Sequence, residues 1–179
     1  MPETPSTPPP SPEKAPAPGI PPIDPNAIMA NVIAVLKTPA EFYKSIKDEK
    51  GFQKTVMFSV IMYAVYGVCS LVWDVIHGWV AGGITALVVA LIIGVIAPFL
   101  GGIILWAISM AFGSKSTWER AVPIAGYSTA VIIGVGIGVL VPGIGWLIQL
   151  VSYLYGLYLW YVGAKTLLFE PAPEVKPNA

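Results

Sequence analysis

The 179-residue sequence contains few charged residues, and their charges cancel. Charged side chains make up 11% of the chain, against about 25% in an average soluble domain, and ten Lys and Arg balance ten Asp and Glu. A chain without a basic surface is a poor candidate for nucleic-acid binding. The mean hydropathy of +0.72 instead indicates a protein that is embedded in a lipid bilayer.

Cysteine and histidine are almost absent, which excludes several kinds of site. Cys69 is the one cysteine and His77 the one histidine, so the chain can form neither an intrachain disulfide nor a cysteine-based zinc site. Asp74 and His77 would share a helix face, but a metal site needs a third ligand, and there is no second histidine to supply it. We predict no catalytic residues, no metal and no cofactor, and that the protein is not an enzyme.

Three runs without Lys, Arg, Asp or Glu set the number of membrane crossings. They cover residues 55–73, 75–114 and 121–164, and one crossing needs about 20 residues. The first run holds one span and the third holds two, at 122–141 and 146–168. The break between these two falls at Pro142, which removes a helix donor, and the glycines beside it.

The middle run allows two interpretations. Residues 74–83 suggest a loop or a shallow interfacial turn, which leaves residues 84–112 with Pro98 inside them. Either Pro98 begins a turn between two spans, or the whole segment is one long span that is kinked at Pro98. The second half alone is too short to cross a bilayer. One long span also keeps Lys and Arg out of both outer loops, as the positive-inside rule requires.

We therefore predict an all-α fold, a polytopic transmembrane helix bundle with four spans, or alternatively five. Eleven prolines fall in residues 1–25, which predicts a disordered tail. Residues 26–51 carry apolar side chains at helical spacing, typical of amphipathic helices that lie in the headgroup layer. The membrane domain then covers residues 52–169, and residues 170–179 form a second disordered tail.

Two small patterns indicate where helices meet. Gly134 and Gly138 form a G-x-x-x-G pair, which permits close helix approach within the chain or in a dimer. Tyr155, Tyr158 and Tyr161 follow one another at one-turn intervals in the last span. This stripe could line a groove for lipid or for a hydrophobic partner, or it could pack on the glycine-rich neighbour and form part of an interfacial aromatic belt.

Four segments resemble a known family. They are Arg-Ala-Val-Pro-Ile-Ala-Gly-Tyr-Ser at 120–128, which contains Gly126, Tyr127 and Ser128; Val-Pro-Gly-Ile-Gly at 141–145; Leu-Tyr-Gly-Leu-Tyr-Leu-Trp-Tyr-Val-Gly at 154–163; and Val-Leu-Lys-Thr-Pro-Ala-Glu-Phe-Tyr at 35–43. Over roughly residues 32–169 the chain resembles the Yip family, the Rab/Ypt-interacting membrane proteins and their bacterial relatives. For eukaryotic members the resemblance implies vesicle trafficking and membrane shaping through prenylated small GTPases. It offers no catalytic residues to carry over.

Two functions follow as expectations. The first is a non-enzymatic membrane organiser or scaffold, which acts in the lipid bilayer through helix packing with a membrane-protein partner or a second copy. The alternative is a small transporter or lipid-binding carrier with a cavity between the kinked second span and the tyrosine-rich last span. We expect a bacterial inner membrane location with the N-terminus in the cytoplasm. The interaction candidates are Pro98, Gly126, Tyr127, Ser128, Gly134, Gly138, Pro142, Tyr155, Tyr158 and Tyr161.

Overall fold

The computed structural model describes residues 24–49 and 51–169, and within these ranges it contains helices and turns without a strand. The two predicted tails therefore lie outside the described residues, except that Asp24 caps the first helix and Pro25 begins it. Pro25 is the first residue of that helix, where its fixed φ angle and missing N–H are tolerated. The predicted all-α fold is confirmed.

Two short helices precede the spans. Helix α1 covers Pro25–Lys37 and α2 covers Pro39–Ser45. The Asp24 carboxylate caps α1 by accepting a hydrogen bond from the Asn26 amide at 2.9 Å, which satisfies one of the free amides at the helix start. Pro39 begins α2 and separates the two helices, because a proline disfavours helical geometry in the residue before it.

Four helical segments are long and apolar enough to cross a membrane, which confirms the four-span prediction. The third of these segments is not continuous, since a turn of 3₁₀ helix divides it into α5 and α6. In chain order the elements are α3 (Gln53–Ile76), α4 (Val80–Ala111), α5 (Trp118–Ser128), the 3₁₀ turn (Thr129–Val131), α6 (Ile132–Leu140) and α7 (Gly145–Leu167).

The second span is one helix of 32 residues, with Pro98 buried inside it. The five-span alternative required a turn after Pro98, and the helix continues there for more than ten residues. Gly101 and Gly102 do not form a turn but lie where α5 packs closely on α4. A Cβ atom on Gly102 would lie 2.8 Å from Val122 Cα, so a side chain at this position would push α5 away from α4.

The loop or shallow turn predicted over residues 74–83 is shorter than expected, since the structure has a turn at residues 77–79 only. Helix α3 continues to Ile76, and α4 already begins at Val80. The reversal takes place around Gly78, whose φ of +80° suits glycine. Gly83 lies inside α4, where a Cβ atom would come within 2.9 Å of Leu71 Cα. A glycine at this position permits close packing of two helices rather than a bend.

The apolar faces of α1 and α2 are covered by protein. Val35 and Tyr43 are fully buried and Phe42 nearly so, and all three belong to the same core cluster as residues of the spans. Met29 and Ile33, on the other side of α1, stay exposed. The two amphipathic helices thus pack on the bundle through one face, and only their outer faces are open to the surroundings.

The ends of the bundle differ in charge. Because the four spans alternate in direction, α3 and α5 start at the same end at which α4 and α7 finish. This end, which we call the basic end, carries Lys54, Lys115, Arg120 and Lys165. The turns at the opposite end, residues 77–79 and 141–144, contain neither Lys nor Arg.

Candidate functional site

The predicted Gly126-Tyr127-Ser128 segment lies at the centre of the fold, in the last turn of α5. All three residues are buried. Gly126 faces α3 and α4, because a Cβ atom there would overlap the Thr55 side chain and would lie 3.4 Å from Pro98 Cβ. Gly126 and Pro98, two of the predicted interaction residues, therefore meet where α4 and α5 cross.

Tyr127 connects the third span to the segment before the first. Its ring packs edge-on against Phe42 of α2, with centroids 5.0 Å apart, and at a tilt against Phe58 of α3, with centroids 5.1 Å apart. Its hydroxyl donates to Glu49 Oε2 at 3.1 Å. The Glu49 side chain is only 11% exposed, and Lys54 Nζ approaches it to 3.9 Å, so the carboxylate is held mainly by the phenol.

Ser128 connects the third span to the last. Its hydroxyl accepts a hydrogen bond from Trp160 Nε1 at 2.7 Å and donates to the Ile124 carbonyl at 2.7 Å. The Tyr43 hydroxyl donates to the same carbonyl at 3.4 Å. Tyr43 lies in α2, and burial raises the pKa of its phenol well above the usual value, because the phenolate would lose its hydration. Tyr43 stays a neutral donor that ties α2 to α5.

The predicted tyrosine stripe of the last span divides into two parts. Tyr155 is half-buried, and its hydroxyl donates to the Leu36 carbonyl of α1 at 2.6 Å. Tyr158 and Tyr161 are exposed, although the Tyr155 and Tyr158 rings are in contact, with centroids 5.5 Å apart. Tyr155 is nearly halfway along α7, so the end of α1 contacts this span far from both of its termini.

Gly134 and Gly138 face α7 within the same chain. A Cβ atom on Gly134 would overlap the Ser152 hydroxyl, and one on Gly138 would lie 2.7 Å from Gln149 Cγ. The close approach that this glycine pair permits is therefore used between α6 and α7. Pro142 lies in the exposed turn that joins these two helices.

Asp74 and His77 lie at the end opposite the basic end. The His77 ring is stacked on Trp73 with centroids 4.0 Å apart, and its Nδ1 lies 2.8 Å from the Trp73 carbonyl. The described residues contain no group of three or more His, Cys, Asp and Glu side chains that could hold a metal ion. The pair belongs to the turn between α3 and α4.

Among the cavities near α5, two bear on function. The first, of about 230 Å³, lies between α4 and α7 at mid-depth, and we call it the mid-span groove; its lining includes Tyr63, Ala97, Ser128, Thr129, Tyr153 and Trp160. The second, of about 530 Å³, lies at the basic end, and we call it the interfacial cavity; its lining includes Lys47, Glu49, Phe52, Thr117, Arg120 and Leu167.

Sequence reasoning missed three residues of this site. Glu49 and Thr55 lie at either side of the start of α3, where a polar residue looks like part of a solvated boundary. Trp160 lies in a stretch where every residue is apolar or aromatic, so its indole did not stand out as a hydrogen-bond donor. The one available signal was the excess of aromatic residues with a polar tip in α7, which usually find a partner when buried.

Comparison with protein families gives a single result. The Yip1 domain model matches residues 33–170, which is about three quarters of the chain and includes all four spans. No curated protein and no solved structure matches the sequence. The matched range begins in α1 and includes α2, the central Gly126-Tyr127-Ser128 segment and α7. The chain is an integral, multi-pass membrane protein that belongs to the Yip1 domain family.

Proposed function

We propose that this protein is a non-enzymatic membrane organiser, which holds other membrane proteins against the outward faces of its spans. The observation that supports this proposal is the distribution of polar groups. The hydrogen bonds of Tyr127, Ser128 and Tyr155 join helices of the same chain to one another. These side chains stabilise the packing of the bundle itself. The surface that remains available to other molecules is the apolar outer face of the bundle.

Helix α4 offers the broadest outward face. One side of α4 packs on α3 and α5, and the other is a row of exposed branched side chains that include Ile84, Val88, Ile92, Ile96, Ile103 and Ile108. Lipid tails are as apolar as these side chains, so association here depends on close packing rather than on hydrophobicity. A partner helix would have to match the shape of this row.

The charge difference between the two ends of the bundle supports one orientation of the protein in the membrane. Lys and Arg accumulate in cytoplasmic loops, which supports a cytoplasmic location for the basic end. Residue 24, the first one described, lies near Lys54 and would then be on the cytoplasmic side. We propose a bacterial inner membrane as the location, with this end facing inward.

Photo-crosslinking in intact membranes tests the organiser proposal. A photoreactive amino acid at Ile96, which is exposed on α4, is expected to give adducts with another protein chain. The same amino acid at Ala90, which is 2% exposed and packs on Gly67 of α3, serves as the control and should react within the chain only. Adducts with lipid alone at Ile96, Ile92 and Leu157 would contradict the proposal.

The mid-span groove supports a second candidate function, a lipid-binding carrier. Some of its polar groups already have partners, because Ser128 and Trp160 bond to each other and Thr129 donates to the Gly126 carbonyl at 2.5 Å. The phenols of Tyr63 and Tyr153 also line it. The rest of its lining is mainly apolar, with Ala97, Val131 and Leu157 among its residues, and it lies at a depth where lipid tails are the surrounding medium. This chemistry favours an acyl chain over a polar solute.

Lipid transfer between vesicles tests the carrier. Ala97→Phe would fill the groove, and we expect transfer of a fluorescent phospholipid to fall several-fold. Ala107→Phe is the matched control, because Ala107 is exposed on the same helix and does not line the groove. Equal transfer by both variants and by the unmodified protein would exclude this function.

A further inference from the structure

The interfacial cavity combines both signs of charge with an apolar floor. Arg120 and Lys47 contribute positive charge to its wall, and Glu49 contributes negative charge together with Asp48 and Glu119. Its floor is formed by Phe52, Pro123 and Leu167. The volume of about 530 Å³ falls in the range that is common for small-molecule sites.

The position of the cavity restricts what can enter it. Thr117 and Arg120 stand at the start of the third span and Leu167 at the end of the fourth. The cavity thus lies where the hydrocarbon layer gives way to lipid headgroups. A phospholipid at this level would present its headgroup to the charged wall and its first methylene groups to the apolar floor.

Arg120 supplies the attraction for an anion. The side chain is half-buried, and its guanidinium makes no ion pair or hydrogen bond with any residue in the described part of the chain. A half-buried cation without a partner favours an anionic ligand, and guanidinium geometry suits the paired oxygens of a phosphate.

Glu49 supplies the attraction for a cation. Its side chain is 11% exposed, the Tyr127 hydroxyl lies 3.1 Å from one oxygen and 3.4 Å from the other, and Lys54 Nζ reaches the carboxylate only at 3.9 Å from a side chain that is 70% exposed. An ion pair of this length with a solvent-exposed lysine contributes little. The carboxylate therefore keeps capacity for a further donor, which a primary ammonium group provides.

We propose that the interfacial cavity binds the headgroup of an aminophospholipid, with the phosphate at Arg120 and the primary ammonium at Glu49. The occupant is a zwitterion because the cavity wall offers both charges. An anionic headgroup would place no cation against Glu49, and a choline headgroup has no N–H to donate to it. This site is separate from the mid-span groove and from the outward face of α4.

Retention of lipids by the full-length protein tests the proposal. The protein is reconstituted with equal amounts of phosphatidylethanolamine, phosphatidylcholine and phosphatidylglycerol, and the lipids that stay bound are identified by native mass spectrometry. We expect phosphatidylethanolamine to be retained over the other two. Arg120→Gln should weaken its retention by about tenfold, which is the scale of one lost charged hydrogen bond. Glu49→Gln should abolish the preference over phosphatidylglycerol.

Two further variants distinguish a specific loss of lipid binding from misfolding and from a general loss of positive charge at the basic end. Lys165→Gln removes a positive charge at the same end from an exposed residue that does not line the cavity, and it should retain lipid like the unmodified protein. Thr117→Phe narrows the cavity at an exposed residue whose side chain makes no capping bond, and it should lose the lipid while the protein stays folded. Preferential retention of phosphatidylglycerol, or an equal loss in Lys165→Gln and Arg120→Gln, would overturn the proposal.

Discussion

The hydroxyl of Tyr127 donates a hydrogen bond of 3.1 Å to Glu49, 78 positions away in the sequence. Glu49 belongs to the segment that leads from α2 into the first span, and Tyr127 lies in the third. The bond fixes the position of α2 relative to the bundle and orients the carboxylate in the wall of the interfacial cavity. The same pair of side chains thus joins two helical segments and shapes the proposed headgroup site.

Tyr127→Phe should lower stability while leaving the ring contacts with Phe42 and Phe58 in place. A lost hydrogen bond to a charged group costs about 1.5–3 kcal/mol, and here it also leaves a buried carboxylate less satisfied. The measurement is denaturant unfolding of the purified protein in detergent. Tyr161→Phe is the control, since Tyr161 is exposed, and equal midpoints for the two variants would contradict the assignment.

Gly126→Ala should destabilise the bundle by about 1–3 kcal/mol, because the added methyl overlaps the Thr55 side chain and forces α3 and α5 apart. Gly82→Ala is the matched control. A methyl group there meets its nearest atom, Asp74 Oδ2, at 3.5 Å, which is an ordinary contact, and the substitution should be neutral or mildly stabilising. Thermal unfolding of both variants decides the point, and a tolerated Gly126→Ala would show that α3 and α5 are not in contact there.

A double-mutant cycle measures the bond between Trp160 and Ser128. Trp160→Phe and Ser128→Ala each remove one partner, and their combined effect should be smaller than the sum of the two. The expected coupling is about 0.6 kcal/mol, with an upper range of about 1.7 kcal/mol, as for other hydrogen bonds between membrane helices. Strictly additive effects would mean that the indole and the hydroxyl do not interact.

Tyr155→Phe should loosen the end of α1, because it removes the hydrogen bond to the Leu36 carbonyl. A cysteine at Val35, which is fully buried, reports this change when it is introduced into a Cys69→Ala background. We expect faster thiol labelling at residue 35 in Tyr155→Phe than in Tyr158→Phe. A cysteine at the exposed Ile33 should react quickly in every background, and equal protection of residue 35 in both variants would refute the role of Tyr155.

The sequence was sufficient to predict the four spans, since their number follows from charge and length. The uncharged runs allow few ways to place spans of about 20 residues. Pro142 marks the break between the last two spans, because proline lacks a helix donor and glycines follow it. The loop or turn predicted over residues 74–83 was too long, because Gly82 and Gly83 resembled loop residues. Gly83 in fact lies within α4, at a point where α3 passes too close to leave room for a side chain. The distance between α3 and α4 depends on how the two helices pack, so the sequence of α4 alone does not reveal it.

The candidate site was predicted only in part. Gly126, Tyr127 and Ser128 stand in the segment that carries the family resemblance, yet their partners are distant in sequence. Whether the apolar face of α1 or α2 meets lipid or protein depends on the shape of the bundle beneath it, and the amphipathic pattern is the same in both cases. For the same reason, the burial of Glu49 could not be read from its place in a charged connecting segment.

The arrangement of the four spans, with every connecting segment that carries Lys or Arg at one end, is the claim on which the rest depends. Its most direct test is the accessibility of single cysteines at Lys115 and Ile144 to a membrane-impermeant thiol reagent, in intact cells and after permeabilisation. We predict labelling of residue 144 in intact cells and labelling of residue 115 only after permeabilisation. Labelling of residue 115 from outside in intact cells would contradict the four-span orientation.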